Sequence, residues 1–311
     1  MISVVIPLYN KALTITRCLN SVNNQTVLPD ELIIINDGSQ DNSLEIVKNW
    51  VSKNTKIECQ IIDQLNQGVS YTRNKGVALS RNNFVAFLDA DDEWSEDFIR
   101  YSQKNILNNQ DISLVTCRHK IVDETLGTYI PKQEFGNKEV GVIENYSSLA
   151  RNYPIVNSSK TVVNKTYFEK VGGFPEDAKV SEDLFLWIRL SDCAPIAYTN
   201  KLLVTIYQVP DLSRNLRIGQ IPYPIKFYSS TKYTGKIDKD LYLLLWSIHL
   251  KHILGSCASN KKEAKTRIIS GLKLFKLKGF LLFGLMLIPR IFFEKYRIFR
   301  RRQLINEYEL Q

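Results

Sequence analysis

Asp89 and Asp91 stand two apart in FLDADDEW (87–94). Alternate residues of an extended segment project to one side, so the two carboxylates can face a common point. Three acids in four positions repel one another unless a cation lies among them. Oxygen ligands at this density suit Mg2+ or Mn2+ held jointly with substrate phosphates. The competing reading is a solvated turn, and in either case Asp92 is available to cap a helix starting near Ser95. In IINDGSQDNS (34–43), Asp37 ends an apolar run and Gly38 permits a turn. A carboxylate there can accept hydrogen bonds from a ribose or a base, or merely close the turn. Arg73, in NQGVSYTRNKG (66–76), can meet a phosphate or a base, or be a surface charge. Glu182 and Asp183 open an apolar helix, SEDLFLWIRL (181–190). Acids are favoured there by the helix dipole alone, yet one of them can serve as a general base.

The elements that must position these groups alternate in type. ISVVI (2–6), ELIIIN (31–36), IECQII (57–62), FVAFL (84–88) and ISLVT (112–116) read as strands. Helical patterns begin near Leu13, run over 41–53 with Asp41 or Asn42 as cap, and recur over 70–80. Such alternation predicts an α/β fold with a Rossmann-like, mostly parallel sheet flanked by helices. Ligands of such sheets bind beyond the carboxyl ends of the strands. PLYN, NDGS, NQG and DADD all fall at those ends. Between 120 and 165 the pattern weakens to polar loops and short strands.

Composition narrows the partners. The 44% apolar and 23% charged residues are those of a folded domain. Five scattered cysteines without a CxxC and only three histidines predict neither a disulfide framework nor a zinc site, and they fit a reducing, cytoplasmic setting. MISVVIP lacks the pattern of a secretory signal. The net charge of +9 is uneven: Lys261 to Arg302 holds 13 Lys and Arg against two acids, while residues 1–260 are balanced. A neutral body with a basic end predicts surface attachment and no nucleic-acid groove.

Taken in order, VVIPLYNKALTITRCLNSVNNQT (4–26), ELIIINDGSQDNS (31–43), NQGVSYTRNKGVALSRNNFVAFLDADDEW (66–94), VGGFPE (171–176) and SEDLFLWIRL (181–190) resemble the family-2 glycosyltransferases, inverting enzymes of the GT-A fold, over roughly 1–210. The resemblance implies that Pro7, Tyr9 and Asn10 lie at the base and ribose of a nucleotide-diphosphate sugar. It implies that Asp37 binds the nucleoside, Arg73 the base or diphosphate, and Asp89 and Asp91 the metal, Asp91 more directly. Asp183 matches the catalytic base, with Glu182 as its understudy. Neither a QxxRW motif nor a series of spans is present, so transfer of a single sugar is expected. In the YxxHxxS pattern of many relatives, YQVPDLS (207–213) puts Pro210 where the histidine stands. A sugar nucleotidyltransferase is disfavoured by the absence of glycine from PLYNKA, and a non-catalytic scaffold by the presence of a base.

The sequence divides softly at 210, with 211–311 mainly helical and basic. LYLLLWSIHLKHIL (241–254) reads as a helix, and FLLFGLMLI (280–288) is too short for the roughly twenty residues of a span. RIFFEKYRIFRRR (290–302) mixes aromatic and basic residues as interfacial segments do. The expectation is peripheral attachment to the anionic inner face of the cell membrane, fitting a lipid-linked or surface-polysaccharide glycan acceptor.

Overall fold

The computed structural model describes residues 1–296, except 54–55, 110, 125–126, 132–134, 136–137, 152–154, 209–219 and 232, together with 299 and the backbone of 309–310. Strands β1 (Ile2–Leu8), β2 (Glu31–Asp37), β3 (Cys59–Gln64) and β4 (Phe84–Phe87) alternate with helices α1 (Ile15–Asn23), α2 (Ser43–Lys53) and α3 (Val69–Leu79). Next come β5 (Glu93–Trp94), α4 (Phe98–Asn108), β6 (Leu114–Asp123), β7 (Gly127–Ile130), β8 (Val140–Ile143), α5 (Tyr146–Ala150) and β9 (Thr161–Asn164). Helices α6 (Lys165–Val171) and α7 (Glu182–Ser191) lead to β10 (Ile196–Gln208). The C-terminal part contributes α8 (Tyr223–Tyr228), α9 (Lys239–Ser259) and α10 (Lys261–Leu281).

One sheet runs in the order β3-β2-β1-β4-β9-β6, with β10 beside β6. β1 to β4 are mutually parallel. The antiparallel β9 lies between β4 and β6, which restores β6 and β10 to the direction of β1. The long strands therefore share one direction, and β5, β7, β8 and β9 oppose it. The chain reverses its march across the sheet between β1 and β4, which opens a crevice beyond their carboxyl ends.

Both faces are covered, which is why the strands are unbroken apolar runs. Val5, Ile33, Ile35, Val85 and Phe87 face α3, α7 and α9, while Val4, Ile6, Ile34, Ala86 and Leu88 face α1, α2 and α4. α3 lies so close to β1 that a Cβ at Gly76 would stand 2.3 Å from Val5 Cγ1. Ile225, Leu244, Leu245 and Phe275 belong to the same cluster as Val5 and Phe87, so α8 to α10 pack on the sheet's α3 side. α9 is long and apolar enough to cross a membrane, but half of its apolar window is buried within the protein.

Three local expectations shift. β3 starts two residues later than IECQII suggests and β6 extends to Asp123. Asp92 caps nothing: α4 begins at Phe98 behind Asp97, and Asp92 is buried beneath the site.

Candidate active site

The β1–α1 and β2–α2 loops are laced together. The Asn10 amide donates to Ser39 Oγ (3.0 Å), the Gln40 amide to Asn10 Oδ1 (2.8 Å), the Lys11 amide to Ser43 Oγ (2.7 Å) and the Ala12 amide to Asp41 Oδ2 (3.0 Å). Asp41 also takes the Ser43 amide at the start of α2, as expected of a cap. Pro7 pairs with Ile35 inside the sheet, and Tyr9 stands 45% exposed above the crevice.

Asp37 is buried at the end of β2. Its carboxylate accepts from Gln64 Nε2 and the Gln67 amide on Oδ1 (both 2.8 Å) and from the Gly68 amide on Oδ2 (2.9 Å). It thus clasps the β3–α3 loop and keeps one acceptor position on Oδ2. Gln67, Gly68 and Ser70 line a cleft of about 150 Å³ whose opposite wall includes Glu182. Asp37 thereby holds the loop that shares this cleft with the start of α7.

Arg73 turns inward from α3. It is buried and donates from Nη2 to Asp89 Oδ1 at 2.6 Å, with its guanidinium 5.3 Å from the Phe174 ring. Burial opposes its charge, but Asp89, then Glu182 and Asp183, outweigh that and hold its pKa above the ordinary value. Arg73 is therefore the common neighbour of the DxD segment and the ED pair. VGGFPE sets this contact. Phe174 exchanges hydrogen bonds of 2.8 Å with the Asn74 side chain, and Gly173, at φ 68°, passes so near that a Cβ would meet Asn74 Oδ1 at 2.6 Å.

The DxD backbone is gripped by one face of α1. Cys18 Sγ donates to the Asp89 carbonyl (3.6 Å), Thr14 Oγ1 to that of Ala90 (2.9 Å) and Arg17 Nη2 to that of Asp91 (2.6 Å). Positions 14, 17 and 18 share a helical face, so three successive carbonyls are fixed and the side chains of Asp89 and Asp91 are left for other partners. Asp92 points into the core, where it accepts from Ser159 Oγ (2.5 Å) and the Tyr207 amide (3.0 Å). Burial, then Asp89 and Asp91, push its carboxyl up to about 8. Lys11 reaches Asp91 Oδ2 with its ammonium at 2.5 Å.

Asp183 follows Ser181, which is left-handed at φ 62°, and accepts from the Leu184 amide at 2.6 Å. Burial and Glu182 push its carboxyl up to about 6, more than Arg73 and the Leu184 amide pull it down.

Residues 3–172 match the sequence profile of Glycosyl transferase family 2. The chain belongs to that family. It is 30% identical over 286 residues to EpsJ of Bacillus subtilis (strain 168), called an uncharacterized glycosyltransferase, over 86% of this chain and 82% of that protein. The fold matches the crystal structure of S. aureus TarS 1–349, with a TM-score of 0.71 at 17% identity over 89% of this chain and 82% of that one. It also matches a mannosyltransferase from Pyrobaculum calidifontis in complex with GDP-Man and Mn2+, with a TM-score of 0.60 at 17% identity over 91% and 78%. The fold of this family-2 glycosyltransferase is therefore GT-A.

A divalent cation suits the residues present. Asp89 and Asp91 keep 34% and 24% of their side-chain surface open. Both are hard oxygen donors, and a cationic side chain already sits against each. Among the described residues no three His, Cys, Asp or Glu side chains form a self-sufficient cage. A cation held by Asp89 and Asp91 would take its remaining ligands from phosphates and water, as is usual for Mg2+. Pro210 lies outside the described residues. Lys11, Thr14, Arg17, Cys18 and Ser159 escaped the sequence reading, since no local pattern ties them to residues 67 to 80 positions away.

Proposed function

We propose that this glycosyltransferase moves a single sugar, with inversion, from a nucleotide-diphosphate sugar to an acceptor hydroxyl, in a metal-dependent reaction. The observation that carries the reading is the buried Arg73–Asp89 ion pair, with Glu182 and Asp183 near enough for their charges to act on the same guanidinium. Pro7, Tyr9, Asn10 and Asp37 border the nucleoside end. Asp89 and Asp91 hold the cation, Mg2+ or Mn2+, which supplies charge neutralisation to the departing diphosphate.

Asp183 serves as base because its carboxyl, raised to about 6, is ionised at neutral pH yet retains enough basicity to receive a proton. The acceptor oxygen forms its bond to the anomeric carbon as the bond to the diphosphate oxygen breaks. The hydroxyl proton passes to Asp183 and the electron pair leaves with the diphosphate. Glu182, across the cleft from Gln67 and Gly68, keeps Asp183 from becoming too acidic.

The acceptor is proposed to be a lipid-linked or surface-polysaccharide glycan met at an anionic membrane face. Leu277, Phe280, Leu281, Leu287 and Phe292 are exposed by 61% to 86%, beside the exposed Lys273, Lys276, Lys278, Arg290 and Lys295. Apolar side chains set among cations at the end of α10 and in the segment that follows it suit insertion at the level of headgroups.

The test is a panel of nucleotide sugars with Mn2+, scored by thermal stabilisation and by slow hydrolysis. Stabilisation by one donor, lost in Asp91→Asn, is expected, together with an anomeric configuration opposite to the donor's in the product. Retention of configuration would overturn the single displacement.

A further inference from the structure

Asn10 is not glycine, yet its φ is 52°, a region that non-glycine residues seldom occupy. Such a conformation persists where neighbouring structure over-determines it. Here four hydrogen bonds to the β2–α2 loop and the first residue of α2 do so, through the amides of Asn10, Lys11 and Ala12 and the side chain of Asn10. The consequence is the direction of Lys11. Its ammonium crosses from the β1–α1 loop to Asp91 Oδ2, 80 residues away, at 2.5 Å. The contact is at the rim, with Lys11 39% and Asp91 24% exposed, so the long side chain can leave at little cost.

Asp91 is the carboxylate that the proposed function gives to the cation. While the ammonium holds Oδ2, a divalent cation arriving there meets both an occupied lone pair and a like charge. Once the ammonium is displaced, the diphosphate brought by the donor is an anion it can join. We propose that Lys11 is a resident counter-ion of the metal site, displaced from Asp91 by the cation and recaptured by the nucleoside diphosphate, so that metal and nucleotide bind cooperatively. Metal alone must expel Lys11 into water. Metal with diphosphate moves it to a new partner. By linkage the coupling is reciprocal.

This inference rests on the metal-dependent reading of the site, and its test separates the two. Mn2+ binding is measured by electron paramagnetic resonance and calorimetry, without nucleotide and with saturating UDP or GDP, on the full chain and on K11M, K11Q and K11R. In the wild type, nucleotide is expected to tighten Mn2+ binding by at least about tenfold, on the usual scale of coupling. K11M and K11Q should bind Mn2+ alone about tenfold more tightly and lose most of the enhancement by nucleotide, while K11R keeps it. The loop is held through backbone amides and the Asn10 side chain, so these variants should melt like the wild type. Unchanged Mn2+ affinity without nucleotide in both neutral variants overturns the inference, as does weaker binding with the enhancement intact. A wild type that binds no Mn2+ with either nucleotide, and gains no stability from any nucleotide sugar with Mn2+, overturns the metal-dependent reading itself.

Discussion

Replacing Asp183 by Asn should abolish transfer and stabilise the protein, because the burial that fits the carboxylate for its proposed role as base is also a cost to the fold. Burial and Glu182 raise its carboxyl from 3.8 to about 6. The folded chain therefore binds this proton more tightly than the unfolded chain does. The resulting penalty is absent below 3.8, grows as pH rises, and is complete above about 6. At 1.36 kcal/mol per pH unit the gap amounts to about 3 kcal/mol at neutral pH. Asp183 keeps part of its surface in water, so about half of that, ~1.5 kcal/mol, is expected on substitution. With an unfolding entropy of about 2.1 cal/mol/K for each of the 311 residues, this raises Tm by about 2 °C. The amide oxygen of Asn can still accept from Leu184, so the start of α7 should stay intact.

The assay is a pair of scanning-fluorimetry melts, at pH 7.5 and pH 4.5, with donor binding measured alongside. The gain should shrink to about a third at the lower pH, where the wild-type carboxyl is protonated when folded. Donor binding should persist while transfer vanishes. A Tm gain that ignores pH, or transfer that survives, would refute the assignment of this carboxyl as the base.

Wild-type transfer should fall with acidification through about 6, to about a tenth of its plateau at pH 5, and Glu182→Gln should move that limb to lower pH by removing a neighbouring negative charge. Arg73→Met strips Asp89 of its buried partner and should lower stability by about 1–3 kcal/mol in urea titration, with a loss of metal-dependent donor binding. Gly76→Ala forces a methyl group into Val5 and should cost about 1–3 kcal/mol by the same titration, with KM unchanged if α3 is only displaced. Wild-type protein should float with anionic vesicles, and Leu277→Ser with Phe280→Ser and Lys278→Glu should abolish this without lowering Tm. Deleting the segment outright would be less informative, since Leu282 and Phe293 are buried with Ile253 and Ile268.

Much of the fold is legible in the sequence because strand and helix patterns are local. ELIIIN is apolar at every residue from Leu32 to Ile35 because β2 is covered on both faces, and α7 carries its acids at its start because its apolar residues begin at Leu184. The placement of PLYN, NDGS and DADD at strand ends follows from the same runs. The order of strands is not local, and it decides the site. Only because β1 lies directly beside β4 do Thr14, Arg17 and Cys18 meet the carbonyls of Asp89 to Asp91, and Lys11 meet Asp91. Arg73 reads as a rim charge until α3, seated on Val5 through Gly76, turns it beneath Asp89. Asp92 reads as a cap until the turn before β9, and β10, bury it against Ser159 and Tyr207. Residue type and spacing determined which chemistry the chain can perform. Packing between distant segments alone decided which charges share a partner, because an ion pair depends on separation in space and leaves no period along the chain.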